Sequence, residues 1–86
     1  MEKREALKAA IKTVEKRGES YGDVRKNHQR IASLWSVVLG QDISPEQVVL
    51  CMTCVKVARL IQTPDHEDSW VDIAGYGACG AEVADK

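Results

Sequence analysis

Apolar residues recur at intervals of three and four along most of the chain, which is the spacing of amphipathic helices. The first such segment predicts a helix over residues 3–17 that ends at Gly18. Its apolar face is formed by Leu7, Ala10, Ile11 and Val14. The second segment predicts a helix over residues 24–39, capped by Asp23 and ended by Gly40. Its apolar face is formed by Val24, Ile31, Leu34, Trp35 and Val38, and His28 shares that face.

The third helix has the clearest start signal in the chain. Ser44 can cap it, Pro45 stands where a missing N–H costs nothing, and Gln47 completes a capping box. The helix that follows, over residues 45–62, is apolar in nearly every direction. We therefore expect it to lie at the centre of the fold, and part of its surface or that of its neighbours to meet a second subunit.

The fourth helix is predicted over residues 67–84. The carboxylates of its first turn suit the positive end of a helix dipole. This segment contains Gly75, Gly77 and Gly80. Each interior glycine costs roughly 1 kcal/mol relative to alanine. We therefore expect another helix backbone, a symmetry mate or a ligand to come very close to these glycines.

Length and composition fit this helical reading. A chain of 86 residues, 44% apolar and 29% charged, has the balance of one globular domain over residues 1–86. It has no Phe, and its β-branched runs are short, so a sandwich or barrel would lack its usual core residues. The sequence therefore predicts an all-α four-helix bundle. Its small core suggests that a homo-oligomer supplies further stability.

The charge distribution says little in favour of nucleic acid as a partner. Residues 1–30 hold nine basic and five acidic side chains. Acidic residues interrupt the basic ones, and Tyr21 is the only aromatic residue there that could stack on a base. A solvated helix face explains the same residues. Lys56 and Arg59 interrupt the longest apolar segment, so no membrane span is predicted.

Three cysteines, an odd number, without a signal peptide indicate a reducing compartment, which we take to be the cytoplasm. Cys51 and Cys54 form a C-x-x-C pair, but within a helix. Redox pairs stand at a helix N-terminus, and zinc pairs need a second pair of ligands. We therefore interpret both cysteines as small apolar core residues.

One candidate site lies where the third and fourth helices meet. Lys56 and Arg59 are expected to face Asp68 and Asp72 across a short turn. Such a group could hold phosphate or carboxylate and Mg²⁺, or it could be a structural ion-pair network that sets the helix register. The concentration of ionisable, hydroxyl and aromatic groups over residues 66–76 favours the binding role. The predicted ligand-binding residues are Lys56, Arg59, His66, Asp68, Trp70, Asp72 and Tyr76, and the candidate metal ligands are Glu67, Asp68 and Asp72.

A second polar cluster surrounds the start of the second helix. This cluster could bind an anion, because a helix N-terminus offers free N–H groups. A capped turn with no ligand is the alternative explanation of the same residues. We expect Asn27 and His28 to face inward. The predicted ligand-binding residues of this cluster are Tyr21, Asn27, His28 and Arg30.

Two pairs of segments resemble a family of small phage and prophage proteins of unassigned function, and the resemblance covers roughly residues 18–84. The first pair is Tyr-Gly-Asp at 21–23 and Asn-His-Gln-Arg-Ile-Ala-Ser-Leu-Trp at 27–35. The second is Lys-Val-Ala-Arg-Leu at 56–60 and Thr-Pro-Asp-His-Glu-Asp-Ser-Trp-Val-Asp-Ile-Ala-Gly-Tyr at 63–76. This family implies a viral protein acting in the host bacterial cytoplasm.

More distantly, the last helix resembles MazG-type all-α nucleoside triphosphate pyrophosphohydrolases. That resemblance implies MazG-like helical packing and Mg²⁺ held by carboxylates on facing helices. The chain departs from the pattern, because the helix over 45–62 offers only Glu46, at its extreme start, where that family carries a pair of acids. Missing carboxylates weaken the case for metal catalysis.

Three functions are therefore open. The first is a non-catalytic nucleotide-binding protein, such as an anti-defence factor that sequesters a signalling nucleotide between subunits. The second is a Mg²⁺-dependent pyrophosphohydrolase that uses Glu67, Asp68 and Asp72. The third is a protein-interaction module that dimerises and docks on a host protein. Nucleotide binding without turnover would select the first, and turnover to pyrophosphate would select the second. The absence of both would favour the third.

Overall fold

The computed structural model describes residues 1–85, which form four α-helices and no β-strand. These are α1 (Lys3–Tyr21), α2 (Val24–Leu39), α3 (Pro45–Gln62) and α4 (Glu67–Ala84). The prediction of an all-α fold with four helices is confirmed. The bounds of α2, α3 and α4 agree with those expected from the sequence, whereas α1 is longer.

The predicted caps are present. The Asp23 carboxylate accepts hydrogen bonds from the backbone N–H groups of Arg25 at 2.8 Å and Lys26 at 3.1 Å. The Ser44 hydroxyl accepts from the Gln47 N–H at 3.1 Å, and the Gln47 side chain accepts from the Ser44 N–H at 2.8 Å. These bonds satisfy N–H groups that a helix start leaves without partners, which is why α2 and α3 begin where they do.

The predicted end of α1 at Gly18 is wrong. The helix runs through Gly18 to Tyr21, and Gly22 follows it with a φ of 77°. The Gly22 N–H donates to the Gly18 carbonyl at 2.9 Å. A helical glycine costs about 1 kcal/mol, which the additional backbone hydrogen bonds can offset. Gly22, not Gly18, provides the backbone conformation that an L-residue rarely adopts.

α4 is the central helix, because it packs against all three others and most extensively against α3 and α1. α1 and α2 are joined only by Gly22 and Asp23, yet of the helix pairs in contact theirs is the least extensive, and α1 does not pack against α3 within residues 1–85. The first two helices therefore diverge from their connection and leave an opening between them.

The prediction that α3 is central is wrong, because only one side of it is covered. Val48, Val49 and Leu60 are buried on that side. Leu50, Val57 and Ile61 are exposed on the other, as are Cys51 and Cys54, so the interpretation of these cysteines as core residues is also wrong. The cause lies in α4, whose small residues allow two helices to pack close to it.

Two of the three glycines in α4 explain this central position. A β-carbon on Gly75 would lie 3.4 Å from a Val14 methyl of α1, and one on Gly80 would lie 3.2 Å from a Val49 methyl of α3. Close helix packing therefore accounts for both. At Gly77 a β-carbon would meet nothing within 4 Å, so the predicted close contact there is wrong.

The buried hydrophobic core is small and is made of Ala10, Ala32, Val48, Val49, Leu60 and Val71. The predicted apolar face of α1 is partly wrong, because Leu7 and Ile11 are about 60% exposed. The close approach at Gly75 instead favours the small Ala10 and Val14 against α4. On α2, Leu34 and Val38 are likewise exposed, contrary to prediction.

Within residues 1–85, no helix has both the length and the apolar character required to cross a bilayer.

Candidate functional site

The first predicted cluster is assembled around one carboxylate. Lys56 Nζ lies 2.8 Å from Asp72 Oδ2, and both side chains are only 12% exposed. Arg17 Nη2 donates to Asp72 Oδ1 at 3.2 Å. Asp72 therefore connects α1, α3 and α4 through two cations. This is the geometry of a structural ion-pair network. No local sequence pattern indicates the contribution of Arg17, which is 55 residues away.

The predicted pairing of Arg59 with Asp68 is not formed. Both residues are exposed, and neither makes an ion pair with another residue of the described chain. Lys56 occupies the position of α3 that faces Asp72, and Arg59, three residues later, lies on the surface near the end of the helix.

The three predicted metal ligands do not converge. Glu67 lies 3.7 Å from the N-terminal amine, Asp68 is exposed, and both oxygens of Asp72 are bound by cations. Among residues 1–85, no group of three or more His, Cys, Asp or Glu could hold a metal ion. Mg²⁺ therefore finds no preformed set of carboxylates here, because the cations take the most buried acid.

His66 and Trp70 make local hydrogen bonds at the start of α4. His66 Nδ1 lies 2.7 Å from the hydroxyl of Ser69, which is fully buried. The Trp70 Nε1–H donates to the Pro64 carbonyl at 2.9 Å, while the indole remains half exposed. These bonds hold the turn between α3 and α4, and neither side chain takes part in the ion pairs around Asp72.

A cavity of about 690 Å³ lies in the opening between α1 and α2. Residues of α3 and α4 complete its wall, including Val48 and Gly75. Four of the predicted ligand-binding residues line it, and they come from α1, α2 and α4. These are Tyr21, Asn27, His28 and Tyr76. The structure thus joins three members of the second predicted cluster with one of the first.

The inward position predicted for Asn27 and His28 is confirmed, since Asn27 is half-buried and His28 is 9% exposed. His28 Nδ1 lies 2.8 Å from the Val24 carbonyl. A carbonyl can only accept, so Nδ1 carries the hydrogen, and in the neutral ring Nε2 is an acceptor. The fourth member, Arg30, is exposed on α2 and does not line the cavity.

The charges around the cavity are mixed. Arg17 is the only Lys or Arg among the described lining residues, beside the acids Asp23 and Glu82. Hydrogen bonds from the backbone N–H groups of Lys26 and Arg25 lower the pKa of Asp23 below its ordinary value of 3.8. Asp23 is therefore a carboxylate at neutral pH. A wall with one cation and two anions favours a ligand that is not densely anionic.

Cys79 adds a thiol to the cavity wall, and it is not among the predicted ligand-binding residues. Burial, and secondarily the charge of Glu82, raise the pKa of this thiol above its ordinary value of 9.0. The group is therefore protonated at neutral pH and is a weak nucleophile. It contributes a small apolar surface to the wall.

Arg25 closes one end of the molecule. Its Nε–H donates to the Glu82 carbonyl at 3.0 Å, and its Nη2 lies 3.4 Å from an Asp85 oxygen. These contacts join the start of α2 to the end of α4 at the edge of the cavity. Like the bond from Arg17 to Asp72, they span more than fifty residues and leave no local pattern in the sequence.

A family profile described as a domain of unknown function, DUF6378, matches residues 5–84. The chain belongs to the DUF6378 family. It is 44% identical over 61 residues to the Gene 55 protein of Mycobacterium phage L5, which covers 70% of this chain and 39% of that protein. It is 41% identical over 70 residues to the Gene 55 protein of Mycobacterium phage D29, which covers 81% of this chain and 46% of that protein. No solved structure matches it significantly.

These relatives confirm the resemblance to phage proteins of unassigned function. The DUF6378 chain spans less than half the length of the curated relatives it matches. The MazG-like packing stays a prediction. The matched family region, residues 5–84, contains every residue of the cavity wall named above.

Proposed function

We propose that this chain binds a nucleoside or nucleotide, through its base, in the cavity between α1 and α2, and does not turn it over. The observation that supports this most is the presence of Tyr21, Asn27, His28 and Tyr76 in one cavity of about 690 Å³. Small-molecule sites have volumes of roughly 300–1,000 Å³ and combine apolar walls with a few polar groups.

The chemistry of the wall suits a planar heterocycle. Both tyrosines of the chain contribute aromatic surface on which a base can pack. The Asn27 amide offers donors and an acceptor, and His28 Nε2 offers an acceptor in the neutral ring. Among the described lining residues, half-exposed Arg17 is the one Lys or Arg that could bind a phosphate, through the N–H groups that Asp72 leaves free.

A Mg²⁺-dependent pyrophosphohydrolase receives less support. Its three acids are spread over exposed positions and an ion pair, so they supply neither a metal cluster nor a base that faces the cavity. We derive no catalytic step through Mg²⁺. The MazG-like packing remains part of that second hypothesis.

A protein-interaction module is favoured by the exposed apolar residues of the first two helices, which include Leu7, Ile11, Leu34 and Val38. This role is compatible with ligand binding. Because the relatives are phage proteins, we propose that either activity takes place in the host bacterial cytoplasm. The form of binding that we propose is sequestration of a signalling nucleotide, which would act against host defence.

Isothermal titration calorimetry with nucleosides, nucleoside monophosphates, triphosphates and cyclic dinucleotides tests the proposal. We expect binding by at least one class, unchanged when Mg²⁺ is removed, with no release of pyrophosphate. Asn27→Ala should weaken that binding at least tenfold, because it removes the amide from the wall. Arg59→Ala is the matched control, since this exposed cation lies outside the cavity, and it should bind normally.

Absence of binding by every class at millimolar concentration would refute the proposal. Release of pyrophosphate that depends on Mg²⁺ would select the hydrolase instead. If Arg59→Ala lost binding and Asn27→Ala kept it, the site would lie at the first predicted cluster and not in this cavity.

A further inference from the structure

The outer face of α3 is apolar from Leu50 to Ile61. Leu50 is 65% exposed and Ile61 is 79% exposed, and Cys54 and Val57 are exposed between them. These four residues follow each other at intervals of four, three and four, which is the spacing of a coiled-coil seam. Exposed Cys51 and Ala58 flank the seam and are also uncharged.

The charged residues of α3 lie away from the middle of this face. Lys56 points to Asp72 in the ion pair within the fold. Arg59 is nine residues from Leu50, which places it on the opposite side of a helix with 3.6 residues per turn. Glu46 stands in the first turn of the helix. A helix face with no charge over three turns is typical of one that another protein surface covers.

The total exposed surface indicates how much cover is missing. The chain exposes 6,361 Å², against about 5,050 Å² expected for a compact monomer of this mass. The excess of about 1,300 Å² is large enough to contain one standard interface, to which each partner contributes roughly 800 Å². One further copy of the chain can therefore cover more than half of this excess.

We propose that two copies of this chain pair through α3, with the two helices antiparallel. The seam is complementary to itself in this direction. A two-fold axis between Cys54 and Val57 sets Leu50 of one protomer beside Ile61 of its partner, and the smaller Cys54 beside Val57 at the centre. Parallel pairing would instead bring the two copies' Glu46 side chains together, and the like charges would repel each other.

This inference does not depend on the proposed ligand, because none of the four seam residues lines the cavity between α1 and α2. Sedimentation equilibrium tests it on the purified chain. We expect a dimer at micromolar concentration. Ile61→Lys should weaken the association at least tenfold and leave the helical circular dichroism unchanged, because residue 61 has no core role.

Val37→Lys is the matched control, since Val37 is an equally exposed apolar residue on α2. It should sediment as the parent does. A parent chain that is still monomeric at roughly 100 µM, where a pair with a micromolar Kd would be mostly dimeric, overturns the proposal. So does a Val37→Lys variant that becomes monomeric while Ile61→Lys remains a dimer, since the interface would then lie on α2.

A disulfide experiment tests the direction of pairing. In a Cys51→Ser, Val57→Cys chain, mild oxidation by oxidised glutathione should join residue 57 of one protomer to Cys54 of its partner, as read by mass spectrometry of the digest. The Cys51→Ser chain without the second change should cross-link much more slowly. Rapid linkage of Cys54 to Cys54 in that control would show parallel helices and overturn the antiparallel arrangement.

Discussion

Lys56 and Asp72 form a 2.8 Å ion pair in which each side chain is 12% exposed, and Arg17 binds the remaining carboxylate oxygen at 3.2 Å. One acid thus joins three of the four helices. A partly buried pair of this kind gives little net stability relative to an apolar replacement, but loss of one partner leaves a charge uncompensated.

Asp72→Asn should therefore lower the free energy of unfolding by about 2 kcal/mol, because the Lys56 ammonium would lose its counter-charge in a partly buried position. Urea denaturation at pH 7 measures this. Glu67→Gln is the control: its side chain is about half exposed and 3.7 Å from its partner, so a change within about 0.5 kcal/mol is expected. Equal stability of Asp72→Asn and the parent would contradict the structural role.

Gly77→Ala should stabilise the fold by up to about 1 kcal/mol, because alanine is the better helix former and its methyl group would meet no atom within 4 Å. Gly80→Ala provides the contrast. Its β-carbon would come within 3.2 Å of a Val49 methyl, so most of the gain should be lost. Thermal unfolding of both variants tests the pair, and a Gly80 variant as stable as the Gly77 variant would show that α3 has room to move.

Asp23 should make the stability of the fold depend on acid. Its pKa is lowered below 3.8 in the folded chain, so its contribution is present above the unfolded pKa and is lost as the pH falls through the folded pKa. Asp23→Asn keeps a capping side chain that cannot be protonated in this range. We expect it to melt close to the parent at pH 7 and to lose fewer degrees than the parent between pH 5 and about pH 2. Parallel losses would show that the cap does not titrate as described.

Cys79 should react slowly with alkylating reagents. Burial raises the pKa of its thiol above 9.0, so less thiolate is present at pH 8 than in an ordinary cysteine. Iodoacetamide labelling, followed residue by residue by mass spectrometry, should be slower at Cys79 in the native chain than in urea. The exposed Cys51 and Cys54 should change less between the two conditions. Equal native and denatured rates at Cys79 would place this thiol outside the wall of the cavity.

The features that can be predicted from the sequence are those that depend on neighbouring residues, such as the starts of α2 and α3. Asp23, Ser44 and Gln47 satisfy helix N–H groups within three positions, so their role follows from local sequence alone. The prediction that α1 ends at Gly18 is wrong because the sequence alone does not distinguish a glycine that ends a helix from one that lies inside it. Which of them takes a positive φ depends on the packing that follows.

The faces of the helices depended on partners that the local pattern does not contain. Periodicity indicates Leu7 for the buried face of α1. Gly75 instead lets α1 pack close to α4 through its smaller residues Ala10 and Val14, and Leu7 is left exposed. The candidate site shows the same limit. Asn27 and His28 were found because they share a face with apolar neighbours, whereas Arg17 reaches the site only through the fold.

The divergence of α1 and α2 has a consequence for local unfolding. α1 is held by α4 and by the Arg17 bridge, makes little contact with α2 and does not reach α3 within the described chain. Its backbone amides should accordingly exchange with deuterium as one group, at an opening free energy below that of α3 and α4. Each such opening would expose the cavity beneath α1 to solvent. Small molecules would therefore enter and leave the cavity at a rate set by the local unfolding of α1.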